Sequence, residues 1–119
     1  MKRLTKTLLA AAVAVAASTA SYAADTIKFA FIEPLSGPFA ATGIPLMNGQ
    51  RDYMLMLNAR DGGIGGVPID FSECETGYST EKGVECYEAT KGEAIVTQPW
   101  STGITLQVLP KTNVDQIPI

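Results

Sequence analysis

Ile27-Lys28-Phe29-Ala30-Phe31-Ile32, stopped shortly afterwards by Pro34-Leu35-Ser36-Gly37-Pro38, is the stretch that decides how this chain folds. The run is apolar, rich in Phe and Ile, too short for a helix and long enough for a buried strand. Working downstream, Leu46, Tyr53 and Leu57 recur at helical spacing between about Ile44 and Arg60. Pro45 would sit in the first turn, where its missing N–H is tolerated, and Gly62-Gly63 closes the run. Val67, Ile69 and Phe71 then alternate with Pro68, Asp70 and Ser72, which predicts a second strand with Pro68 at its start or edge.

The alternation repeats. Ser79 or Thr80 suits the cap of a second helix reaching about Lys91, with Glu81 near its positive end and Gly92 just beyond. Ala94 to Thr97 is expected as a third strand. Ser101-Thr102-Gly103 leads into a third helical stretch carrying Ile104, Leu106, Val108 and Leu109, which Pro110 should bend or shorten. Ile117-Pro118-Ile119 has the character of the start of a fourth strand. Strand followed by helix, three times over, implies right-handed crossovers and an α/β fold: a three-layer parallel sheet with helices on both faces.

Upstream, Lys2, Arg3 and Lys6 precede an unbroken apolar run from Leu8 to Ala17, followed by small and polar residues from Ser18 to Tyr22. This is the pattern of a signal peptide over residues 1–23, with Ser21 and Ala23 as the small residues before a cut ahead of Ala24. The run is about half of the roughly 20 apolar residues needed to span a bilayer, so a membrane anchor is disfavoured. Removing it takes three of nine basic groups and none of the twelve acidic ones, leaving 96 residues with a net charge of −6. An acidic body argues against nucleic acid as a partner. Histidine is absent, which removes the commonest general base and the commonest neutral metal ligand. No metal or other cofactor is implied. Cys74 and Cys86, in an exported chain, are expected to form a disulfide worth about 3 kcal/mol on the chain-entropy model. Glu73 and Glu75 flank Cys74 and share one strand face. A solvated strand end accounts for them better than an acid and base pair, because no partner that would tune either carboxylate is visible in the sequence.

Three blocks carry a resemblance. Leu35-Ser36-Gly37-Pro38-Phe39-Ala40-Ala41-Thr42-Gly43, then Asn48-Gly49, then Asn58-Ala59-Arg60-Asp61-Gly62-Gly63-Ile64-Gly65-Gly66 stand in an order similar to that of the branched-chain amino-acid-binding family of transporter solute receptors. Gly77-Tyr78-Ser79-Thr80-Glu81-Lys82-Gly83-Val84 resembles that family's second strand-to-helix turn, and Trp100-Ser101-Thr102-Gly103 its third. The resemblance implies a type I periplasmic binding fold, of which residues 24–119 would be the N-terminal portion of lobe I. It also implies a periplasmic location, an amino-acid-like ligand held between two lobes, delivery to an ABC permease in the inner membrane, and no catalysis. A three-stranded parallel sheet of this length leaves apolar surface uncovered, so the chain is expected to be cut short and, by itself, to be unstable or to associate.

Ligands of open α/β sheets lie beyond the carboxyl ends of the strands. Ser101 and Thr102 begin the third helix, whose free N–H groups favour a carboxylate, and in the resembling family a serine at this turn holds that group. Capping of the helix explains the same residues equally well. Trp100 and Phe39 are candidates for the apolar wall, or for simple cover of the sheet end. Thr42 stands where several relatives place an aromatic residue, so a leucine-like specificity does not follow. Two other functions compete. A ligand-sensing domain of a signalling receptor uses the same fold. An exported hydrolase lacks support, because neither a Gly-x-Ser-x-Gly elbow nor a histidine exists in these residues.

Overall fold

The computed structural model of the chain describes residues 26–119. The signal peptide expected over residues 1–23 lies outside the described residues. Three strands alternate with three helices: β1 (Ile27–Glu33), α1 (Ala40–Asp61), β2 (Ile69–Glu75), α2 (Thr80–Thr90), β3 (Val96–Pro99) and α3 (Thr102–Asp115). A turn of 3-10 helix, Gly37–Phe39, links β1 to α1. The strands are parallel in the order β2-β1-β3. No helix among the described residues is long and apolar enough to cross a membrane.

β1 is central because it is the most apolar strand and both its edges must be paired. Ile27 to Glu33 stands in register with Ile69 to Glu75 on one side, and Phe29 to Ile32 with Val96 to Pro99 on the other. Its side chains alternate between two layers. Ile32 points to the side of α2 and α3, where it is buried with Cys86, Tyr87, Ile104 and Val108. Each such burial is worth roughly 1.5–3 kcal/mol. The Tyr87 hydroxyl donates to Asp115 Oδ2 at 2.7 Å, joining the far ends of α2 and α3. Burial, reinforced by that carboxylate, pushes the phenol up to about 12. Phe29 and Phe31 point the other way, with ring centroids 6.2 Å apart, and Phe31 lies 6.0 Å from Phe71. On this face α1 is tied to the sheet by Arg51, which pairs with Glu73, and by Gln50, which donates to Gln98.

The disulfide between Cys74 and Cys86 is present and fastens β2 to α2. Asn58 closes the opposite end of the unit: its side chain donates to the Ile69 carbonyl and accepts from the Ile69 amide, both at 2.8 Å, so the last turns of α1 complete the edge of β2. Gly43 lets α1 approach the β1 exit, since a Cβ there would stand 2.1 Å from the Pro34 carbonyl oxygen.

Element boundaries depart from expectation in five places. β3 runs Val96–Pro99 instead of Ala94 to Thr97, because the Glu93 and Ala94 amides are still engaged by the Thr90 carbonyl at the end of α2. α1 starts at Ala40, so Pro45 lies inside the helix instead of in its first turn; near the N-terminus a proline forfeits a single internal hydrogen bond, and the helix continues. Tyr53, expected on the buried stripe, is 56% exposed, whereas Met47 is buried. β2 begins at Ile69, because Val67 instead makes a short antiparallel bridge to Ile64 around Gly65-Gly66. α3 runs through Pro110 to Asp115. The proline is on the exposed side, while Val108 and Thr112 on either side of it are buried, and Thr112 Oγ1 donates to the Leu109 carbonyl at 3.0 Å. Residues 117–119 form no strand, although the Pro118 carbonyl accepts from the Thr97 amide at 3.0 Å, along the outer edge of β3.

Glu33, the last residue of β1, is 0% exposed, and neither carboxylate oxygen has a hydrogen-bond partner. Burial, together with the neighbouring Glu73 charge, pushes its carboxyl from 4.5 up to about 7. A folded-state value above the unfolded one means that the folded form holds the extra proton, so stability falls as pH rises from about 4.5 through about 7. Glu33→Gln is expected to remove this dependence and, above pH 7, to stabilise the protein by up to about 3 kcal/mol. Urea denaturation of parent and variant on either side of that interval measures it; equal slopes with pH contradict it.

Candidate functional site

All three strand-to-helix loops emerge at the carboxyl edge of the sheet, because the strands are parallel. Glu75, at the end of β2, binds two of them together. Its Oε1 accepts from the Ser36 amide at 3.1 Å, from the Ser36 hydroxyl at 3.0 Å and from the Gly77 amide. Burial works against the charge, but these donors, helped by Lys82, hold the carboxyl below its ordinary value. The Thr76 amide donates to the Glu33 carbonyl at 3.0 Å, a second link between the β1 and β2 exits. The backbone at this edge is unusual. Gly37 has φ +73°, and Gly77 and Tyr78 follow each other at φ +55° and +67°. For tyrosine that conformation costs on the order of 1 kcal/mol or more.

The clamp brings three rings together. Phe39, from the 3-10 turn, lies 4.0 Å from Tyr78 between centroids, and Trp100, after β3, stands 6.1 Å from Tyr78 and 6.3 Å from Phe39. Trp100 is anchored by its amide donating to the Ile32 carbonyl at 2.9 Å. Beside these rings a groove of about 410 Å³ is lined by Tyr78, Pro99, Trp100, Ser101, Thr102, Thr105 and Leu106. Ser101 is the cap of α3 in extended conformation: its Oγ accepts from the Ile104 amide at 3.4 Å. Ser79 caps α2 in the same way through the Lys82 amide. The two helix starts adjoin, since a Cβ on Gly103 would stand 3.0 Å from Thr80 Oγ1. Their positive ends therefore act on one small volume.

Of the candidates from sequence, Trp100, Ser101 and Thr102 line one groove, and Phe39 backs it through Tyr78. Thr42 is exposed on the first turn of α1 and is not part of that lining. Sequence reasoning missed Tyr78 and Glu75. Tyr78 was hidden in a turn where glycine is the expected residue. Glu75 looked solvated because its partners are 39 residues away and in the next loop. Glu73 likewise has its partner in Arg51. Among the described residues no group of acidic and sulfur side chains is arranged to hold a metal.

The family model described as periplasmic binding protein matches residues 26–119. The chain belongs to this family. Among curated proteins no match is found. Among solved structures, a protein of the Pseudomonas fluorescens group described as an ABC transporter permease is similar at 33% identity over 79% of this chain and 24% of its own, with a TM-score of 0.75. A fatty acid ABC transporter substrate-binding protein from Thermomonospora curvata matches at 23% identity over 78% and 24%, with a TM-score of 0.74. The branched-chain amino acid transporter substrate-binding protein of Streptococcus pneumoniae, solved with isoleucine, matches at 24% over 78% and 27%, with a TM-score of 0.69. The chain thus spans about a quarter of the length of these structures, and its architecture is that of a partial type I periplasmic binding fold.

The Glu75 clamp yields a test. Glu75→Ala should cost about 1–2 kcal/mol in denaturant unfolding and alter the near-ultraviolet circular dichroism of the Phe39–Tyr78–Trp100 cluster. Because the folded-state value of Glu75 is depressed, its contribution should be present above the ordinary carboxylate range and fade as pH falls through it. An unchanged spectrum in Glu75→Ala would show that the loops hold their arrangement without it.

Proposed function

We propose that this chain is the N-terminal portion of lobe I of a solute-binding component of an ABC transporter. In this reading residues 1–23 direct export and residues 24–119 supply one wall of the ligand cleft. The complete protein captures an amino acid or related small carboxylate in the periplasm, presents it to a permease in the inner membrane, and carries out no chemistry on it. Family membership supports the general role. The observation that carries the ligand class is the start of α3: Ser101 and Thr102, with free backbone N–H groups behind them, open onto a groove whose other walls are aromatic and apolar. A carboxylate fits the polar end by charge and hydrogen bonding, and an apolar body fits the rest. Ser101 can serve cap and ligand together, because its oxygen accepts from Ile104 while its hydroxyl proton stays available to donate.

Two substitutions separate capping from binding. Ser101→Ala removes both and should lower stability by about 1 kcal/mol. Ser101→Asp keeps a good cap but sets a negative charge where the ligand carboxylate would lie. In the complete gene product, Ser101→Asp is expected to melt near the parent temperature yet lose affinity for carboxylate ligands by about a hundredfold, equivalent to roughly 3 kcal/mol. Isothermal titration calorimetry against a panel of amino acids and simple carboxylates reads this out; parent-like affinity in Ser101→Asp would remove the carboxylate from this position.

A further inference from the structure

The aromatic wall points to a narrower ligand class than family membership does. Tyr78 occupies a left-handed backbone position, φ +67°, directly after Gly77 at +55°. Glycine or asparagine would occupy it with less strain. What tyrosine adds is a ring, placed against Phe39 at 4.0 Å and edge-on to Trp100 at 6.1 Å. These rings come from three different loops, and Glu75 holds two of those loops in register. Further along the groove Leu106 is 62% exposed, an apolar side chain left open at the same mouth as Pro99. None of the residues lining the groove is charged.

We infer that this half-site is built for a carboxylate carried on a flat aromatic body, in preference to a branched aliphatic one. The inference rests on the reading of Ser101 and Thr102 given above. Both kinds of ligand gain from leaving water, in proportion to apolar area. Only a planar unsaturated ring also gains from offset or edge-to-face arrangement with Tyr78 and Trp100, because the electron-rich face of one ring attracts the positive edge of another. With two rings within reach, the added preference amounts to about tenfold.

The test uses the complete gene product. L-phenylalanine, benzoate, L-leucine and L-isoleucine are titrated by calorimetry. Emission from the parent is compared with that of Trp100→Phe to isolate the signal of Trp100. At least one aromatic ligand is expected to bind about tenfold more tightly than leucine or isoleucine and to perturb the Trp100 signal; the better of phenylalanine and benzoate shows whether an α-amino group is also read. Tyr78→Phe should keep the preference. Tyr78→Gly should abolish it with only a small change in melting temperature, since relief of the left-handed backbone offsets part of the lost ring contacts. Leucine or isoleucine binding as tightly as the better of the two aromatic ligands, or a preference that survives Tyr78→Gly, overturns the inference. If leucine binds tightly and Ser101→Asp abolishes it, the aromatic preference falls while the transport reading stands. If none of the four ligands binds, the aromatic preference falls, and the transport reading is decided by the wider panel of amino acids and carboxylates.

Discussion

Parallel pairing of β1 on both of its edges is the constraint from which the rest of the unit follows. Once β2 and β3 both run alongside it in the same direction, every strand must end at one edge of the sheet and every helix must start there. The helices then have to return along the faces. α1 covers the Phe29–Phe31 side, and α2 and α3 cover the Ile32 side. One edge of the sheet thereby collects three loops, three helix starts and their unpaired N–H groups, whereas the other collects the helix ends.

The two edges are built differently. At the helix-end edge the connections are closed by locally satisfied devices: Gly62 in left-handed conformation after α1, and Asn58 completing both backbone hydrogen bonds of Ile69. At the strand-end edge the structure retains features that cost free energy. Glu33 is buried without a partner, Tyr78 holds a backbone conformation that a bulky residue resists, and Trp100 remains partly open beside an exposed Leu106. Concentration of strain and unspent polarity at one edge, next to a groove with hydroxyls at its end, suits the proposed binding surface, because a site must hold back interactions for its ligand. The polar groups of the described groove are hydroxyls and amides, and the proposed carboxylate position rests on them.

Membership of the periplasmic binding protein family fits this division of labour. On the proposed reading, a lobe that offers one wall of a cleft needs rigid loops on that wall, and Glu75 draws on donors from both the β1 and β2 exits. The disulfide between Cys74 and Cys86 adds to it from beneath, since Cys74 adjoins Glu75 on β2 and Cys86 is a buried residue of α2. The aromatic wall thus stands on a covalent and a hydrogen-bonded support within a few residues of each other in the chain.

The sequence by itself determined the order and type of all six principal elements, because each leaves a local trace: the apolar run of β1, the Ser79 cap, the serine and threonine before α3, the glycines after α1. It also determined the disulfide and the position of Ser101 at a helix start. It could not give helix limits where proline marks an expected start, as at Pro45, or an expected end, as at Pro110, since both are tolerated by packing that only the fold supplies. Likewise, Tyr53, placed by periodicity on the buried stripe, is exposed while Met47 is buried, because which stripe of an apolar helix is buried depends on where the sheet lies. Tertiary structure alone decided the meeting of Phe39, Tyr78 and Trp100, the burial of Glu33 and the linkage made by Glu75. These are relations between residues far apart in the chain, fixed by strand register and loop geometry, and no local pattern of residue types encodes them.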